Sequence, residues 1–138
     1  MSSNITGGYA SMSSKNQPQK ILIVEDEPAI CEMYRLKLSL SGFNVITAVN
    51  GQEGLALCEA EKPTLILLDL KMPIMNGEAM LAKLRKKNWG AAIKVIVLTN
   101  ISKDEAPHNL RLLNVDRYIV KAHYTPAQVV DIVREVMS

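Results

Sequence analysis

The sequence predicts an α/β fold with a doubly wound, five-stranded parallel sheet and helices on both of its faces. Two observations carry this prediction: five short apolar runs recur along the chain, and helix-like segments separate them. Strands and helices that alternate in this way form parallel sheets, because a crossover returns the chain to the edge where the next strand begins. The strand order 2-1-3-4-5 is compatible with right-handed crossovers and one reversal of winding, although periodicity alone does not establish it.

The predicted strands are short and mostly apolar, as expected for strands that are buried on both faces. They cover residues 20–24, 44–48, 65–68, 93–98 and 117–120. The third of them, Leu65-Ile66-Leu67-Leu68, is followed at once by Asp69 and then by a loop rich in turn residues. Taken alone, Asp69 at this position is as compatible with a simple turn cap as with a functional carboxylate.

Capping residues mark the starts of the predicted helices. These starts are Pro28 in a first-turn position, Asn50 with Glu53 in a capping box, Asn76, and Thr125 followed by Pro126. The first helix is expected to end at Gly42 and the second before Pro63. A shorter helix is predicted over residues 103–113, with a late start or a kink at Pro107 because proline cannot donate to the helical ladder. Asn114 is expected to take the left-handed C-cap of that helix.

The length and composition favour one domain with an ordinary core. The chain has 138 residues, 48% of them hydrophobic, and a formal net charge of +2 that is too balanced to indicate nucleic-acid binding by bulk charge. No apolar stretch approaches the roughly 18 residues that cross a membrane, and no signal peptide is visible. A cytoplasmic location without direct nucleic-acid or membrane contact is therefore expected. Cys31 and Cys58 are then expected to be reduced core thiols on opposite faces of the sheet.

The N-terminal segment differs in composition from the rest of the chain. Residues 1–17 are rich in Ser, Asn, Gly and Gln and show no periodicity, so they are expected to form a flexible leader before a folded domain over residues 18–138. Met1-Ser2-Ser3 recurs as Met12-Ser13-Ser14. We therefore expect Met12 to be the natural start and the residues before it to be an addition, which comparison with the native coding sequence would test.

Polar side chains follow the predicted strands at the point where each strand ends. Glu25 and Asp26 follow the first strand, Asp69 the third, Thr99 the fourth, and Lys121 the fifth. Because the carboxyl ends of parallel strands meet at one edge of the sheet, these side chains are expected to converge there. Three carboxylates at one edge repel each other and need a counter-charge, and hard oxygen ligands suit Mg²⁺.

This convergence of residue types favours phosphoryl chemistry. A hydroxyl and an ammonium group suit the oxygens of a phosphoryl group, and an aspartate can attack phosphorus to form an acyl phosphate. The hypothesis is a Mg²⁺-dependent phosphoryl acceptor in which Asp69 is the attacking group. No His or Cys stands at the strand ends, which argues against thiol or triad chemistry. His108 and His123 lie in polar segments and are expected to be surface residues.

Four motifs, in this order along the chain, resemble the receiver domain of two-component response regulators, a CheY-like domain with a flavodoxin-like fold. They are ILIVEDE at residues 21–27, DLKMPIMNG at 69–77, VLT at 97–99, and DRYIVK at 116–121. The resemblance covers residues 20–138. It implies that Asp69 is the phosphoacceptor, that Asp26 binds Mg²⁺ directly, that Glu25 acts through a metal-bound water, and that the backbone carbonyl of Lys71 is a further ligand.

The same resemblance assigns roles around the phosphoryl group. It implies that Thr99 and Lys121 bind phosphoryl oxygens and that Thr99 and Tyr118 form a switch, in which Tyr118 turns inward as the threonine moves. The alternative for Tyr118 is ordinary half-buried packing of a strand aromatic. The implied output surface consists of the fourth predicted helix, the fifth strand and the closing helix, and it would bind an output protein or a second copy of the chain.

The sequence departs from the family pattern beside the site. Ala122 follows Lys121 where the family usually has a cis proline; the bond is predicted to be trans, since a cis bond before a non-proline residue costs about 3–4 kcal/mol. Asn100 stands where the family commonly has a smaller residue. Lys71 and Ile101 occupy positions that tune dephosphorylation in the family. Ile101 has no polar group to orient a water molecule, so a persistent phosphoryl state is expected.

The function expected from the sequence is a signalling switch, not a turnover enzyme. It would accept a phosphoryl group from a sensor histidine kinase or a histidine phosphotransfer protein. One alternative is a receiver-like binding module that is never phosphorylated, and another is the receiver part of a longer DNA-binding regulator. An aspartate-based phosphohydrolase is a further alternative, but it would need a second carboxylate two residues after Asp69, where Lys71 stands.

Overall fold

A single five-stranded sheet forms the centre of the protein. The structure is a computed structural model that describes residues 19–138, so the predicted leader over residues 1–17 lies outside the described residues. The strands are β1 (Lys20–Val24), β2 (Asn44–Ala48), β3 (Leu65–Leu68), β4 (Lys94–Thr99) and β5 (Arg117–Val120). All neighbouring pairs are parallel and the order is β2-β1-β3-β4-β5, which confirms the prediction.

Within residues 19–138, four α-helices begin where the capping residues predicted them. They are α1 (Pro28–Leu40), α2 (Gly51–Glu61), α3 (Gly77–Arg85) and α4 (Pro126–Met137). The Asn50 side chain accepts the backbone N–H of Glu53 at 2.8 Å, and the Asn76 side chain accepts that of Ala79 at 2.8 Å. Thr125 and Gln128 form a reciprocal capping box at the start of α4. These bonds satisfy donors that the first helical turn leaves free.

The prediction of one helix over residues 103–113 is wrong. The chain instead makes two short 3₁₀ turns, Lys103–Glu105 and His108–Leu112. Ala106 between them is extended, with ψ of 149°, because the ring of Pro107 disfavours helical geometry in the residue before it. Asn114 does adopt the predicted left-handed conformation, with φ of 57°. The crossover from β4 to β5 is therefore made of two turns where a helix was expected.

The helices cover the sheet in two layers. Side chains of α1 and α4 pack against one face, and those of α2, α3 and the second 3₁₀ turn pack against the other. Cys31 lies in the first layer and Cys58 in the second, both as free thiols, which confirms that they lie on opposite faces. Burial raises the pKa of the Cys58 thiol to about 12. Among residues 19–138, the structure contains no helix with the length and apolar character that a bilayer span requires.

The guanidinium of Arg85 fastens the end of the β4–β5 crossover to α3. Its N–H groups donate to the carbonyls of Gly90, Ile93, Leu113 and Asn114 at 2.7–2.8 Å. Five donors in a planar fork allow one side chain to satisfy several carbonyls that no strand or helix pairs. Arg85 therefore fixes the point from which the chain enters β5.

Replacing Arg85 by Lys is expected to lower the free energy of unfolding by about 3 kcal/mol, because an ammonium cannot reach four separated carbonyls at once. Urea denaturation measures the change. Arg111→Lys is the matched control, since Arg111 lies exposed on the second 3₁₀ turn and the swap should stay within about 0.5 kcal/mol. Equal stability of the two variants would show that the carbonyl contacts of Arg85 contribute little.

Candidate functional site

The pairing of β1 with β3 places three carboxylates side by side. Val24 lies opposite Leu68 at the ends of these neighbouring strands, and the residues that follow them are Glu25 and Asp69. The backbone N–H of Asp69 continues the ladder by donating to the carbonyl of Val24 at 3.1 Å. The strand register therefore fixes the separation of the acids, as the strand-end argument predicted.

The acid cluster consists of Glu25, Asp26 and Asp69. One carboxylate oxygen of each residue lies within 4.8 Å of the corresponding oxygens of the other two. Glu25 is 4% exposed and Asp69 is 8% exposed, while Asp26 is half-buried. Carboxylates so close together at a partly dry edge repel one another unless positive charge stands beside them.

Lys121 supplies part of that positive charge. Its Nζ atom lies 2.5 Å from Glu25 Oε1 and 3.2 Å from Asp69 Oδ2, although Lys121 directly follows β5, which lies two strands away from β3. Burial alone would lower the pKa of Lys121, but the hydrogen bond that Lys121 donates to Glu25 and the charges of both carboxylates outweigh it and raise that pKa. Lys121 therefore stays protonated against both acids.

Glu25 is the most buried of the three acids. Burial raises the pKa of its carboxyl, although the hydrogen bond and charge of Lys121 and the N–H of Glu27, at 3.1 Å, act in the opposite direction. Sequence reasoning assigned Lys121 to the phosphoryl group and did not foresee that its shorter contact is with Glu25. The residue pattern of two separate strands does not show which of their side chains come into contact.

The donor set fits a small divalent cation. Three carboxylates and one ammonium leave two negative charges at the edge, and hard oxygens at this spacing suit one ion held directly or through water. No His or Cys takes part in this group of ligands. Glu25, Asp26 and Asp69, which the sequence predicts as metal-binding residues, are close enough together that they would hold Mg²⁺.

Asp69 is held rigidly by its own loop. Its Oδ1 atom accepts the N–H of Leu70 at 2.7 Å, while Oδ2 faces Lys121. Gly77, the first residue of α3, packs so tightly that a Cβ atom there would lie 2.2 Å from the carbonyl oxygen of Asp69. The sequence shows that Gly77 directly follows the Asn76 cap. Its close contact with Asp69 could not be predicted, because the contact depends on the folded loop.

Thr99 and Tyr118 lie on the neighbouring strands. Thr99 is buried at the end of β4, and its hydroxyl takes a long 3.5 Å contact from the N–H of Ile101. Among the described residues, no hydrogen bond joins Thr99 to the acid cluster. The Tyr118 hydroxyl donates to the carbonyl of Ile101 at 2.7 Å, so β5 is tied to the loop that follows Thr99. Asn100 is exposed beside it and Ile101 is half-buried.

The peptide bond between Lys121 and Ala122 is trans, as predicted, since the described residues contain no cis bond. Residues Lys121–His123 form a 3₁₀ turn that leads into α4. A cavity of about 710 Å³ lies away from the acids, against the β4–β5 crossover, with Lys103, His108, Arg111 and Tyr118 among its lining residues. It lies along the segment where a helix was expected.

The fold and the site agree with the resemblance drawn from the motifs, since three acids and a lysine meet at the carboxyl edge of a doubly wound parallel sheet. The sequence model of a protein family described as the response regulator receiver domain matches residues 21–134 of this chain. The chain therefore belongs to the family of response regulator receiver domains, which confirms the resemblance drawn from its motifs, and it is a receiver domain of two-component signalling.

Curated proteins similar to this chain include transcriptional regulators. A curated relative named probable transcriptional regulator ycf27, from Porphyridium aerugineum, is 34% identical over 121 residues, which are 88% of this chain and 49% of the relative. The DNA-binding dual master transcriptional regulator RpaA of Synechocystis is 37% identical over 84 residues, 61% of this chain and 35% of that protein. The chain thus spans about half the length, or less, of these curated relatives.

A solved structure of a response regulator is similar to this chain over most of its length. TrrA of Thermotoga maritima, crystallised in complex with Mg²⁺ and BeF, is 30% identical with a TM-score of 0.75 and covers 85% of this chain and 97% of its own.

Proposed function

We propose that this domain accepts a phosphoryl group on Asp69 in a Mg²⁺-dependent reaction and acts as a signalling switch. The observation that carries the proposal is the position of the Lys121 ammonium, which contacts both Asp69 and Glu25 at the edge where the three acids meet. An ammonium shared between a candidate nucleophile and a candidate metal ligand suits a site that gains negative charge during its reaction.

The proposed step is a displacement at phosphorus. A carboxylate oxygen of Asp69 forms the new P–O bond while the P–N bond of a donor phosphohistidine breaks, and the leaving imidazole nitrogen keeps the electron pair and takes a proton from solvent. Glu25, Asp26, Asp69 and the carbonyl of Lys71 would hold the metal. When bound, Mg²⁺ supplies positive charge that offsets the negative charge on the phosphoryl oxygens.

Residues of this chain prepare Asp69 for that step. The N–H of Leu70 fixes one oxygen of the carboxylate, and Lys121 is close enough to Asp69 to stay paired with an incoming phosphoryl oxygen. Thr99, at the end of the adjacent strand, would bind another oxygen. Asn100 is exposed beside Thr99, where its amide would contact the phosphoryl group or narrow the approach to it.

The readout of the switch is proposed to pass through the loop after β4. A movement of Thr99 toward the phosphoryl group would shift residues 100–102, to which the Tyr118 hydroxyl is bonded through the carbonyl of Ile101. Tyr118 also lines the cavity at the β4–β5 crossover. The output surface of this protein is therefore made of the two 3₁₀ turns, β5 and α4, and its partner would be an output protein or a second copy.

The phosphodonor is proposed to be a sensor histidine kinase or a histidine phosphotransfer protein. We propose a switch, not a turnover enzyme, because Lys71 stands where a phosphohydrolase would need its second carboxylate. A specific observation favours one refinement: the chain spans about half the length of curated relatives named as transcriptional regulators. It would then be the receiver part of a longer DNA-binding regulator, which the length of the native gene tests.

The direct test is phosphorylation by a small donor. Wild-type protein is incubated with acetyl phosphate and Mg²⁺, and intact mass spectrometry follows an acid-stable, base-labile phosphoryl adduct. The adduct should form with Mg²⁺, fail to form with a chelator, and be absent from Asp69→Asn. An unlabelled wild type, or equal labelling of Asp69→Asn, would overturn the proposal and favour the binding module that is never phosphorylated.

Replacing Ile101 by Asn is expected to accelerate loss of the phosphoryl group several-fold, because an amide at this position can orient an attacking water and an isoleucine cannot. The contact with Tyr118 uses the backbone carbonyl of residue 101, so the substitution leaves it available. Decay of the purified adduct after removal of the donor measures the rate, with Ile101→Val as the apolar control. Unchanged decay in Ile101→Asn would show that this side chain does not limit hydrolysis.

A further inference from the structure

Helix α1 carries apolar residues on two nearly opposite faces. One face packs against the sheet, where the side chains of Tyr34 and Leu38 are buried. The other face carries four apolar residues at intervals of four, three and four positions, which a period of 3.6 residues per turn brings into one line. These residues, together named the α1 stripe, are Ala29, Met33, Leu36 and Leu40.

The whole of the α1 stripe is exposed. Met33 is 37% exposed, Leu36 47% and Leu40 86%, and Ala29 is exposed as well. A helix on the surface of a globular domain normally has one apolar face and a polar face opposite to it. No element in the described part of the chain buries the α1 stripe, so its burial needs a second surface.

The spacing of the α1 stripe is that of a helix that pairs with another helix. Intervals that alternate between three and four residues put side chains at the a and d positions of a heptad, the positions that interdigitate between two helices lying side by side. Met33 and Leu40 occupy a, while Ala29 and Leu36 occupy d. Every a and d position of α1 (Pro28–Leu40) is therefore apolar.

Charges on the two flanks of the α1 stripe determine the direction of a matching helix. Glu32 lies on one flank, at position g, and Lys37 lies on the other, at position e. If two copies of α1 pack in parallel, Glu32 of each copy lies beside Lys37 of the other, and opposite charges meet twice. In an antiparallel pair, like charges would meet instead. The helix is therefore complementary to itself in the parallel direction.

Both charged side chains are available for such contacts. Lys37 is exposed and forms no ion pair with any of residues 19–138. Glu32 pairs with Arg35 of the same helix at 2.5 Å, yet its side chain is 54% exposed. A carboxylate has about four acceptor positions, so Glu32 can accept a second cation without losing Arg35.

We propose that the α1 stripe is a homodimer interface, in which α1 packs in parallel against α1 of a second copy of this chain. This interface differs from the output surface proposed above, and it does not depend on phosphorylation, because it uses no residue of the acid cluster. Since α1 begins at Pro28, two residues after Asp26, parallel packing would place both acid clusters at the same end of the dimer. The contact is short, so we expect a Kd of about 10–100 µM.

Sedimentation equilibrium of the full chain tests the proposal through reciprocal charge swaps. Glu32→Lys and Lys37→Glu should each raise the Kd of the dimer about tenfold, because like charges then meet at both flanks. An equimolar mixture of these two variants should dimerise as tightly as wild type, since the mixed pair restores opposite charges at both contacts. Recovery in the mixture also shows that neither variant is misfolded.

Two apolar variants locate the contact. Leu36→Gln should raise the Kd about tenfold, because Leu36 lies at the centre of the α1 stripe. Leu112→Gln should leave the Kd unchanged, although Leu112 is 84% exposed, since it lies on the second 3₁₀ turn and on the output surface. A dimer that is lost in Leu112→Gln and kept in Leu36→Gln would overturn the inference.

Two further results would also overturn the proposed dimer. A wild type that stays monomeric at millimolar concentration would show that the α1 stripe serves a different protein. A mixture of Glu32→Lys and Lys37→Glu that dimerises no better than either variant alone would contradict parallel packing of α1.

Discussion

Replacing Lys121 by Met should destabilise the metal-free protein by about 3 kcal/mol at neutral pH, because it leaves the buried carboxylate of Glu25 without its counter-charge. The Lys121 side chain is 10% exposed and that of Glu25 is 4% exposed, so water replaces the lost contact poorly. Mg²⁺ should restore part of the lost stability, since it supplies positive charge to the same acids. Urea denaturation with and without Mg²⁺ measures both effects.

The cost of Lys121→Met should depend on pH in a defined direction. Burial raises the pKa of Glu25 above its usual 4.5, so the ion pair disappears as pH falls through that raised value, and the difference between wild type and variant shrinks there. Pairing with the acids raises the pKa of Lys121 above 10.5, so its contribution is lost as pH rises through that value. The full difference in stability between wild type and Lys121→Met is therefore expected at pH values between the pKa of Glu25 and the pKa of Lys121.

The matched control for this prediction is Lys83→Met. Lys83 is exposed on α3, and its replacement should change stability by no more than about 0.5 kcal/mol at any pH between those limits. If Lys121→Met were as stable as wild type at pH 7 in the absence of metal, the shared ammonium would not stabilise the acid cluster.

Replacing Gly77 by Ala should destabilise the protein by about 4 kcal/mol and slow phosphorylation of Asp69 sharply. The added Cβ would lie 2.2 Å from the carbonyl oxygen of Asp69 and 3.0 Å from Cα of Leu70. Both neighbours are backbone atoms, so relief requires movement of the segment that carries the phosphoacceptor. Thermal unfolding and the rate of labelling by acetyl phosphate measure the two effects.

Gly54→Ala separates this contact from the general effect of adding a methyl group to a buried helical glycine. A Cβ on Gly54 in α2 would meet the Met80 and Val24 side chains at 3.0–3.1 Å, and the flexible thioether of Met80 can yield. We expect a cost of about 1 kcal/mol or less, since alanine favours helix by a similar amount, and normal labelling. Equal losses of stability and of labelling rate in Gly77→Ala and Gly54→Ala would show that the contact of Gly77 with Asp69 does not cause the effect of Gly77→Ala.

Local signals in the sequence were sufficient for most of the fold. Buried parallel strands are continuous apolar runs, and caps such as Asn50, Asn76 and Thr125 act over three residues, so both are readable without tertiary information. Strand ends converge in any parallel sheet, which is why Glu25, Asp26 and Asp69 were placed together correctly. The boundary of β4 differed by one residue, within the range over which strand ends vary.

The remaining features depend on contacts between distant segments. The apolar residues of 103–113 suggested a helix, but Pro107 and the extended Ala106 divide it, and Arg85 holds its end from another helix. The contact of Lys121 with Glu25 joins residues 96 positions apart. The positive φ of Ile74, 69°, could not be predicted, because isoleucine by itself disfavours it and the conformation belongs to a tight turn in which the Met75 N–H donates to the carbonyl of Pro73.

The measurement that tests the central claim most directly is chemical mapping of the phosphorylated residue. Protein labelled with acetyl phosphate and Mg²⁺ is treated with borohydride, which reduces an aspartyl phosphate to homoserine, and peptide mass spectrometry then locates the converted residue. The account predicts homoserine at position 69 and unaltered Asp26, with Glu25 likewise unreduced. Conversion at Asp26 or Glu25, or no conversion in labelled protein, would contradict the role of Asp69 as the phosphoacceptor.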